Sequence, residues 1–136
     1  MSLLGFESLN ETSILETSKP GTLFCFGHGF SSRALAQRLI PKGWDVSGTC
    51  RDKGSKKILK NEGQLYEYNG VNVNQEIYNA IDKSTHLLIS IPPQASEDPV
   101  LDRFSTEILN WKHLKWVGYI SSTGVYGDAK GEWVDE

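Results

Sequence analysis

The sequence predicts an α/β fold, a doubly wound parallel sheet covered by helices on both faces. From residue 21 onward, short apolar runs alternate with amphipathic segments, and Gly or Pro stands at most of the junctions. The runs are apolar almost throughout, which is typical of strands buried on both faces. The segments between them are long enough to cross back over a sheet as helices. Right-handed crossovers then favour five strands in the order 3-2-1-4-5.

Composition and charge exclude several classes of protein. The chain has 136 residues and a net charge of −3, so we expect no nucleic-acid partner, because such proteins usually carry a basic surface. Its two cysteines and three histidines are scattered without a C-x-x-C pair. We therefore expect no metal site, reduced thiols and a cytoplasmic location. No apolar run is long enough to cross a bilayer, so no membrane partner is expected.

The first strand and helix follow a short N-terminal arm. Residues 1–20 are predicted to form this arm, which ends at Lys19-Pro20-Gly21. The apolar run over residues 22–26 is the first predicted strand. Ser31 is predicted to cap the next helix, since serine is a favoured N-cap residue. The inner face of that helix is expected to carry Ala34, Leu35, Leu39 and Ile40.

The remaining elements continue the alternation. They are a strand at 44–49, a short basic helix at 55–61, a strand at 65–68, a helix at 74–81, a strand at 86–91, a helix at 98–111 and a strand at 116–120. Ligands of such sheets bind where the strand order reverses, here between the first and fourth strands. At the end of the fourth strand, Ile91, Pro92 and Pro93 either form one wall of a cofactor groove or only stop the strand.

A glycine-rich turn joins the first strand to the first helix. It reads Gly27-His28-Gly29-Phe30-Ser31-Ser32 and matches G-x-G-x-x-G, except that Ser32 takes the third glycine position. The first glycine permits a tight turn, and the second lets the backbone approach a pyrophosphate at the helix tip. The turn therefore predicts a dinucleotide-binding Rossmann domain over residues 21–136. The alternative is a plain turn without ligand. Arg33 either reaches a phosphate or is a solvated helix residue.

The end of the second strand bears on the choice between NADP and NAD. An acidic residue there would favour the free 2′-hydroxyl of NAD. Instead, Thr49 and Cys50 end the strand and Arg51 follows. A guanidinium suits a 2′-phosphate, so we predict NADP over NAD. Asp52 is the counter-evidence, because its carboxylate could bond the ribose. Three lysines follow, and a solvated helix face explains them more simply than contact with the ligand does; they are Lys53, Lys56 and Lys57.

The segment after the fifth strand carries a family resemblance. It reads Ser121-Ser122-Thr123-Gly124-Val125-Tyr126-Gly127-Asp128, followed by Gly131-Glu132-Trp133-Val134-Asp135-Glu136. Together with the glycine turn, it resembles the extended short-chain dehydrogenase/reductase superfamily, within it the NAD-dependent epimerase/dehydratase group, over about Gly21 to Glu136. The resemblance implies hydride transfer between NADP or NAD and a nucleotide-sugar or related carbonyl or hydroxyl substrate.

The resemblance also implies roles for residues in this segment. Ser122, or Thr123 beside it, would hydrogen-bond the reacting substrate oxygen, with Ser121 next to the cofactor. The alternative is that these hydroxyls only satisfy loop backbone groups. Tyr126 is a further candidate catalytic residue, because Tyr126 and Lys130 have the family's Y-x-x-x-K spacing. Gly127-Asp128 between them is a turn signal, however, so a shared helix face is not expected.

The chain therefore resembles the front part of a larger enzyme, truncated after the fifth strand. We expect it to bind cofactor without full catalysis. A sheet edge left exposed at the fifth strand would favour a homodimer. The alternative functions are a non-catalytic dinucleotide-binding regulator and a dimerising interaction module.

Overall fold

The computed structural model of the chain describes residues 19–51 and 63–120. Most of the predicted N-terminal arm, the predicted basic helix at 55–61 and the segment 121–136 lie outside the described residues.

Five strands form a single parallel sheet in the order β3-β2-β1-β4-β5, which confirms the predicted class and strand order. They are β1 (Thr22–Phe26), β2 (Asp45–Cys50), β3 (Gln64–Glu67), β4 (His86–Ile89) and β5 (Trp116–Tyr119). All four pairings are parallel. The central strand β1 is the most buried, since Leu23 through Phe26 are at most 2% exposed. Such burial on both faces accounts for its unbroken apolar run.

Three described helices connect the strands: α1 (Phe30–Leu39), α2 (Gln75–Asp82) and α3 (Leu101–Asn110), with a 3-10 turn at Ile40–Lys42. They lie where the sequence predicts helices, with small differences at the ends. The largest is at α3, which begins three residues later than predicted. The reason is local, because the Asp98 carboxylate accepts hydrogen bonds from the N–H groups of Val100 and Leu101, both at 2.9 Å. Asp98 thus forms a turn ahead of the helix.

Two predictions about α1 are wrong. Ser31 does not cap the helix. Gly29 is the N-cap, and it has no side chain to cap the helix. Ala34 is exposed, whereas Ala36 is fully buried. The cause is Ser32, whose buried hydroxyl bonds the Gly27 carbonyl at 2.9 Å and sets the rotation of the helix. Residues four apart share a helix face, so Ala36 follows Ser32 inward.

Two hydrophobic cores lie on opposite faces of the sheet. One is built largely on aromatic and branched residues and packs the sheet against α2 and α3; its buried members are Phe24, Phe26, Tyr68, Ile77, Ile81, Leu87, Ile89, Val100 and Phe104. The other packs the sheet against α1 through Leu23, Cys25, Ala36, Val46 and Leu88. Alternate β1 residues point to opposite faces, and so they supply both cores. The doubly wound arrangement follows, with the reversal of strand order between β1 and β4.

β5 lies at one edge of the described sheet. Its side chains Val117 and Tyr119 are 44% and 39% exposed. An exposed strand edge favours pairing with another strand. A homodimer through this edge stays a prediction.

His86 lies at the amino-terminal end of the sheet, away from the glycine turn, between two tryptophans. Its ring centroid is 4.8 Å from that of Trp44 and 6.1 Å from that of Trp116. Burial, and then the nearby Lys115 ammonium, lower the pKa of His86 below its ordinary value of 6.5. The folded protein therefore binds this proton less readily than the unfolded chain does, so stability is lost as pH falls.

We expect the free energy of unfolding to decrease as pH falls below 6.5 and to level off below the folded-state pKa. His86→Gln should reduce this pH dependence, whereas the same change at the exposed His113 should leave it intact. Urea midpoints measured from about pH 8 to about pH 5 check the prediction. Equal pH slopes for the two variants would refute it.

Candidate functional site

The turn after β1 requires glycine at position 27. Gly27 has a φ of +87°, and a Cβ added to it would come within 2.9 Å of Ser90 Oγ and 3.0 Å of Ile91 Cγ1. Non-glycine residues rarely adopt such a φ, and contacts this short would displace the neighbours. The backbone therefore passes close against the residues that follow β4.

Three hydroxyl groups hold the backbone of Gly27. Its N–H donates to Thr49 Oγ1 at 2.9 Å. Its carbonyl accepts from Ser32 Oγ at 2.9 Å and from Ser90 Oγ at 2.6 Å. These hydroxyls come from β2, from α1 and from the residue after β4. The turn is thus tied to three elements at once, and its conformation is fixed before any ligand binds.

Ser32 occupies the third glycine position of the turn and is 1% exposed. Besides Gly27, its hydroxyl bonds the thiol of Cys25. Burial raises the pKa of Cys25 to about 12, against a smaller lowering by that hydrogen bond. Cys25 therefore stays a protonated core thiol, because reactive cysteines need a depressed pKa. The serine allows α1 to lie close to β1, as glycine would, and adds hydrogen bonds between them.

Gly29 differs from Gly27 in both conformation and surroundings. It is the N-cap of α1 with a φ of −94°, which any residue can adopt. A Cβ added to it would meet no atom of the described residues within 4 Å, apart from its own chain neighbours. The first hydrogen bond of the helix runs from the Arg33 N–H to the Gly29 carbonyl at 2.9 Å. The preceding N–H groups of the first turn have no partner within the helix, as at any helix start, and the N-cap glycine has no side chain to bond them.

A groove of about 340 Å³ opens at the carboxyl ends of β1 to β4. The predicted site residues that line it are Gly27, His28, Gly29, Thr49, Cys50, Arg51, Ile91 and Pro92. It lies where the strand order reverses, which is the ligand position in sheets of this kind. The structure thus brings together residues from the ends of three separate strands that the sequence predicts to share a site.

His28 lines the groove but is only 2% exposed. Its N–H donates to the Thr49 carbonyl at 2.8 Å. Its ring packs against Gly48, where an added Cβ would come within 3.0 Å of the imidazole. The residue anchors the turn to β2 through this backbone hydrogen bond and this packing contact.

Several predicted residues lie outside the groove lining. Phe30 is 91% exposed at the tip of α1, Ser31 and Pro93 are exposed, and Arg33 is half-buried. Ser32 lies beneath the turn and acts through Gly27. The four predicted residues after β5, Ser121, Ser122, Thr123 and Tyr126, lie outside the described residues.

Sequence reasoning missed six residues of the lining: Tyr68, Asn69, Gly70, Ser90, Gln94 and Pro99. Asn69-Gly70 is a turn signal after the third strand and could have been found. Ser90 was hidden inside the predicted fourth strand, which ends two residues earlier than predicted. Tyr68 bonds the Pro99 carbonyl through its hydroxyl at 2.5 Å, a contact between distant segments that local patterns do not reveal.

Arg51 is the one charged residue among those that line the groove within the described ranges. It follows the last residue of β2 and is exposed. No carboxylate belongs to this lining. The charge of the described groove is therefore positive, which favours an anionic ligand.

Comparisons with known proteins support the fold and leave the ligand open. No protein-family model matches the chain, and no curated protein matches it. A solved structure, that of a functionally unknown conserved protein from Silicibacter pomeroyi, is similar, with 38% sequence identity and a TM-score of 0.67. The match covers 85% of this chain and 40% of that one. In the part of the chain that the structure describes, no helix has the length and apolar character needed to cross a membrane.

Proposed function

We propose that the chain binds a nicotinamide dinucleotide at the turn from Gly27 to Ser32, and NADP in preference to NAD. The open space beside Gly29 carries this proposal. At Gly27 the fold itself requires glycine, because a Cβ would collide with its neighbours. At Gly29 neither φ nor packing requires it. A ligand that approaches the backbone closely does require a missing side chain there.

The tip of α1 is the proposed site for the pyrophosphate. The N–H groups of the first helical turn have no intrahelical partner, and the helix dipole makes this end positive. Such a tip binds phosphate groups well. The adjoining groove, at about 340 Å³, is within the range of small-molecule sites. Because three hydroxyls already hold Gly27 in place, binding would cost little reorganisation.

Arg51 supports the preference for NADP. It stands at the end of β2, where proteins of this fold read the adenosine ribose. Its guanidinium offers paired donors to a 2′-phosphate. An NAD-selective site would place a carboxylate against the 2′-hydroxyl, and none lies among the described lining residues.

The proposal extends to hydride-transfer chemistry through the sequence resemblance. The nicotinamide ring, when bound, would accept or donate a hydride at a carbonyl or hydroxyl carbon of a nucleotide-sugar or related substrate. The role of the described residues is to bind and orient the dinucleotide. The turn and the tip of α1 hold the diphosphate, and Arg51 holds the 2′-phosphate of the adenosine ribose. Ser122, Thr123 and Tyr126 remain the proposed catalytic residues.

The Arg51→Ala variant tests the proposal. We expect NADP affinity to fall by roughly 10- to 100-fold, since a hydrogen-bonded charge contributes about 1.5–3 kcal/mol, while NAD affinity stays nearly constant. Isothermal titration calorimetry with both dinucleotides measures this. Arg38→Ala, on an exposed residue in the last turn of α1, is the matched control. Absence of NADP binding by the unmodified chain, or equal losses for NADP and NAD, would contradict the proposal.

A further inference from the structure

Asn69 and Arg51 follow the ends of the neighbouring strands β3 and β2 and line the same groove. The strands β2 and β3 are neighbours in the sheet, with Cys50 opposite Glu67. Just beyond them, the Tyr68 N–H donates to the Cys50 carbonyl at 2.8 Å. The next residue of each segment, Arg51 on one side and Asn69 on the other, lines the same groove. Two side chains rich in donors therefore stand at adjacent strand ends.

The Asn69 carboxamide is held in one orientation. Its Oδ1 accepts hydrogen bonds from the N–H of Val71 at 2.9 Å and from that of Asn72 at 3.0 Å. This Asx turn commits the oxygen to the backbone, and the two hydrogens on Nδ2 are then the polar atoms left to meet a ligand.

The backbone at Asn69 is held in place by the residues before and after it. Before it, the buried Tyr68 is bonded through its N–H to Cys50 and through its hydroxyl to the Pro99 carbonyl at 2.5 Å. After it, Gly70 has a φ of +91°, which tightens the turn. A donor held this firmly loses little conformational entropy when it binds a ligand.

We propose that Asn69 and Arg51 together form a subsite for a phosphate monoester on the ribose, the 2′-phosphate of NADP, with Asn69 Nδ2 as a neutral donor. This inference rests on the proposed function and adds a specificity-determining residue to it. A phosphate monoester presents three acceptor oxygens, more than the planar guanidinium can bond from one side. The described lining holds no carboxylate that would repel it.

Two substitutions at Asn69 separate its role as a ligand donor from its role in the turn. Asn69→Asp keeps an oxygen for the N–H groups of Val71 and Asn72 but replaces the donor with a negative charge. Asn69→Ser keeps a turn-forming oxygen, is neutral and removes the amide donors. Urea midpoints near that of the parent chain would show that both variants retain the fold.

The experiment measures the affinities of the full chain and both variants for 2′,5′-ADP, 5′-AMP, NADP and NAD by calorimetry. For Asn69→Ser we expect about a tenfold loss for 2′,5′-ADP and NADP, as for one hydrogen bond to a charged group. For Asn69→Asp we expect a greater loss. The affinities for 5′-AMP and NAD should change by less than about twofold.

Each other outcome overturns the inference in a distinct way. If Asn69→Ser binds like the parent chain and only Asn69→Asp is weakened, Asn69 is near the phosphate but is not its donor. If all four ligands lose affinity equally, the residue is only structural. If the parent chain binds NADP and neither variant differs, the inference fails while the proposed function stands. If the parent chain binds none of the four ligands, the proposed function fails as well.

Discussion

Gly29→Ser is expected to abolish measurable NADP binding and to leave the fold intact. The added side chain would project into space where, apart from the chain neighbours of Gly29, no atom of the residues that the structure describes lies within 4 Å, which is where the proposal places the diphosphate. Overlap with a close backbone contact should weaken binding by at least about 100-fold, or roughly 3 kcal/mol. The fold should tolerate the change, because φ at this position is −94° and serine is a good N-cap residue.

The control for this prediction places the same side chain elsewhere on α1. Ala34 is exposed, and Ala34→Ser should bind NADP like the parent chain. Calorimetry supplies the affinities and thermal unfolding the stabilities. Unchanged NADP affinity in Gly29→Ser would mean that no ligand approaches the backbone at this position.

Gly27→Ala is expected to destabilise the fold, in contrast to the same change two residues later. A non-glycine residue at a φ of +87° costs about 1–3 kcal/mol. Overpacking against Ser90 and Ile91 adds a further cost of about 1–3 kcal/mol. Urea unfolding should therefore show a loss on the order of 2–6 kcal/mol, a large part of the stability of a typical domain.

Gly29→Ala is the matched comparison for Gly27→Ala. It introduces the same methyl group at an unstrained, open position, where the loss of glycine at the N-cap should cost at most about 1 kcal/mol. If the two variants unfold at the same urea concentration, the turn is not held as tightly as its three hydroxyl contacts to Gly27 indicate.

The sheet was predictable because the strands can be recognised from their local sequence pattern. β1 and β4 are continuous apolar runs, and the handedness of crossovers leaves few possible orders. The start of α1 was not predictable in the same way. Serine is the better cap by propensity, but the buried bond from Ser32 to Gly27 sets the helix start and rotation. That bond exists only once β1 and α1 have packed together, so a tertiary contact overrode the local preference.

In the candidate site too, residues with a local sequence signal were predictable, and residues placed by tertiary contacts were not. The glycine turn and Arg51 could be predicted as site residues because both belong to a short motif, whose spacing along the chain is visible in the sequence itself. Ser90 was missed because its place in the groove depends on which strand ends become neighbours. Ser90 matters through its bond to Gly27 at 2.6 Å, across 63 residues of chain. No local pattern encodes such a partner.

The central claim is that a diphosphate binds at the bend between β1 and α1. An NMR titration of the ¹⁵N-labelled chain with NADP tests it most directly, by following each backbone amide. The account predicts that the largest shift changes fall on the amides from Gly29 to Ser32 and on Arg51, with saturation at a single Kd. Shift changes that leave this bend untouched and gather on another surface, or no changes at all, would contradict it.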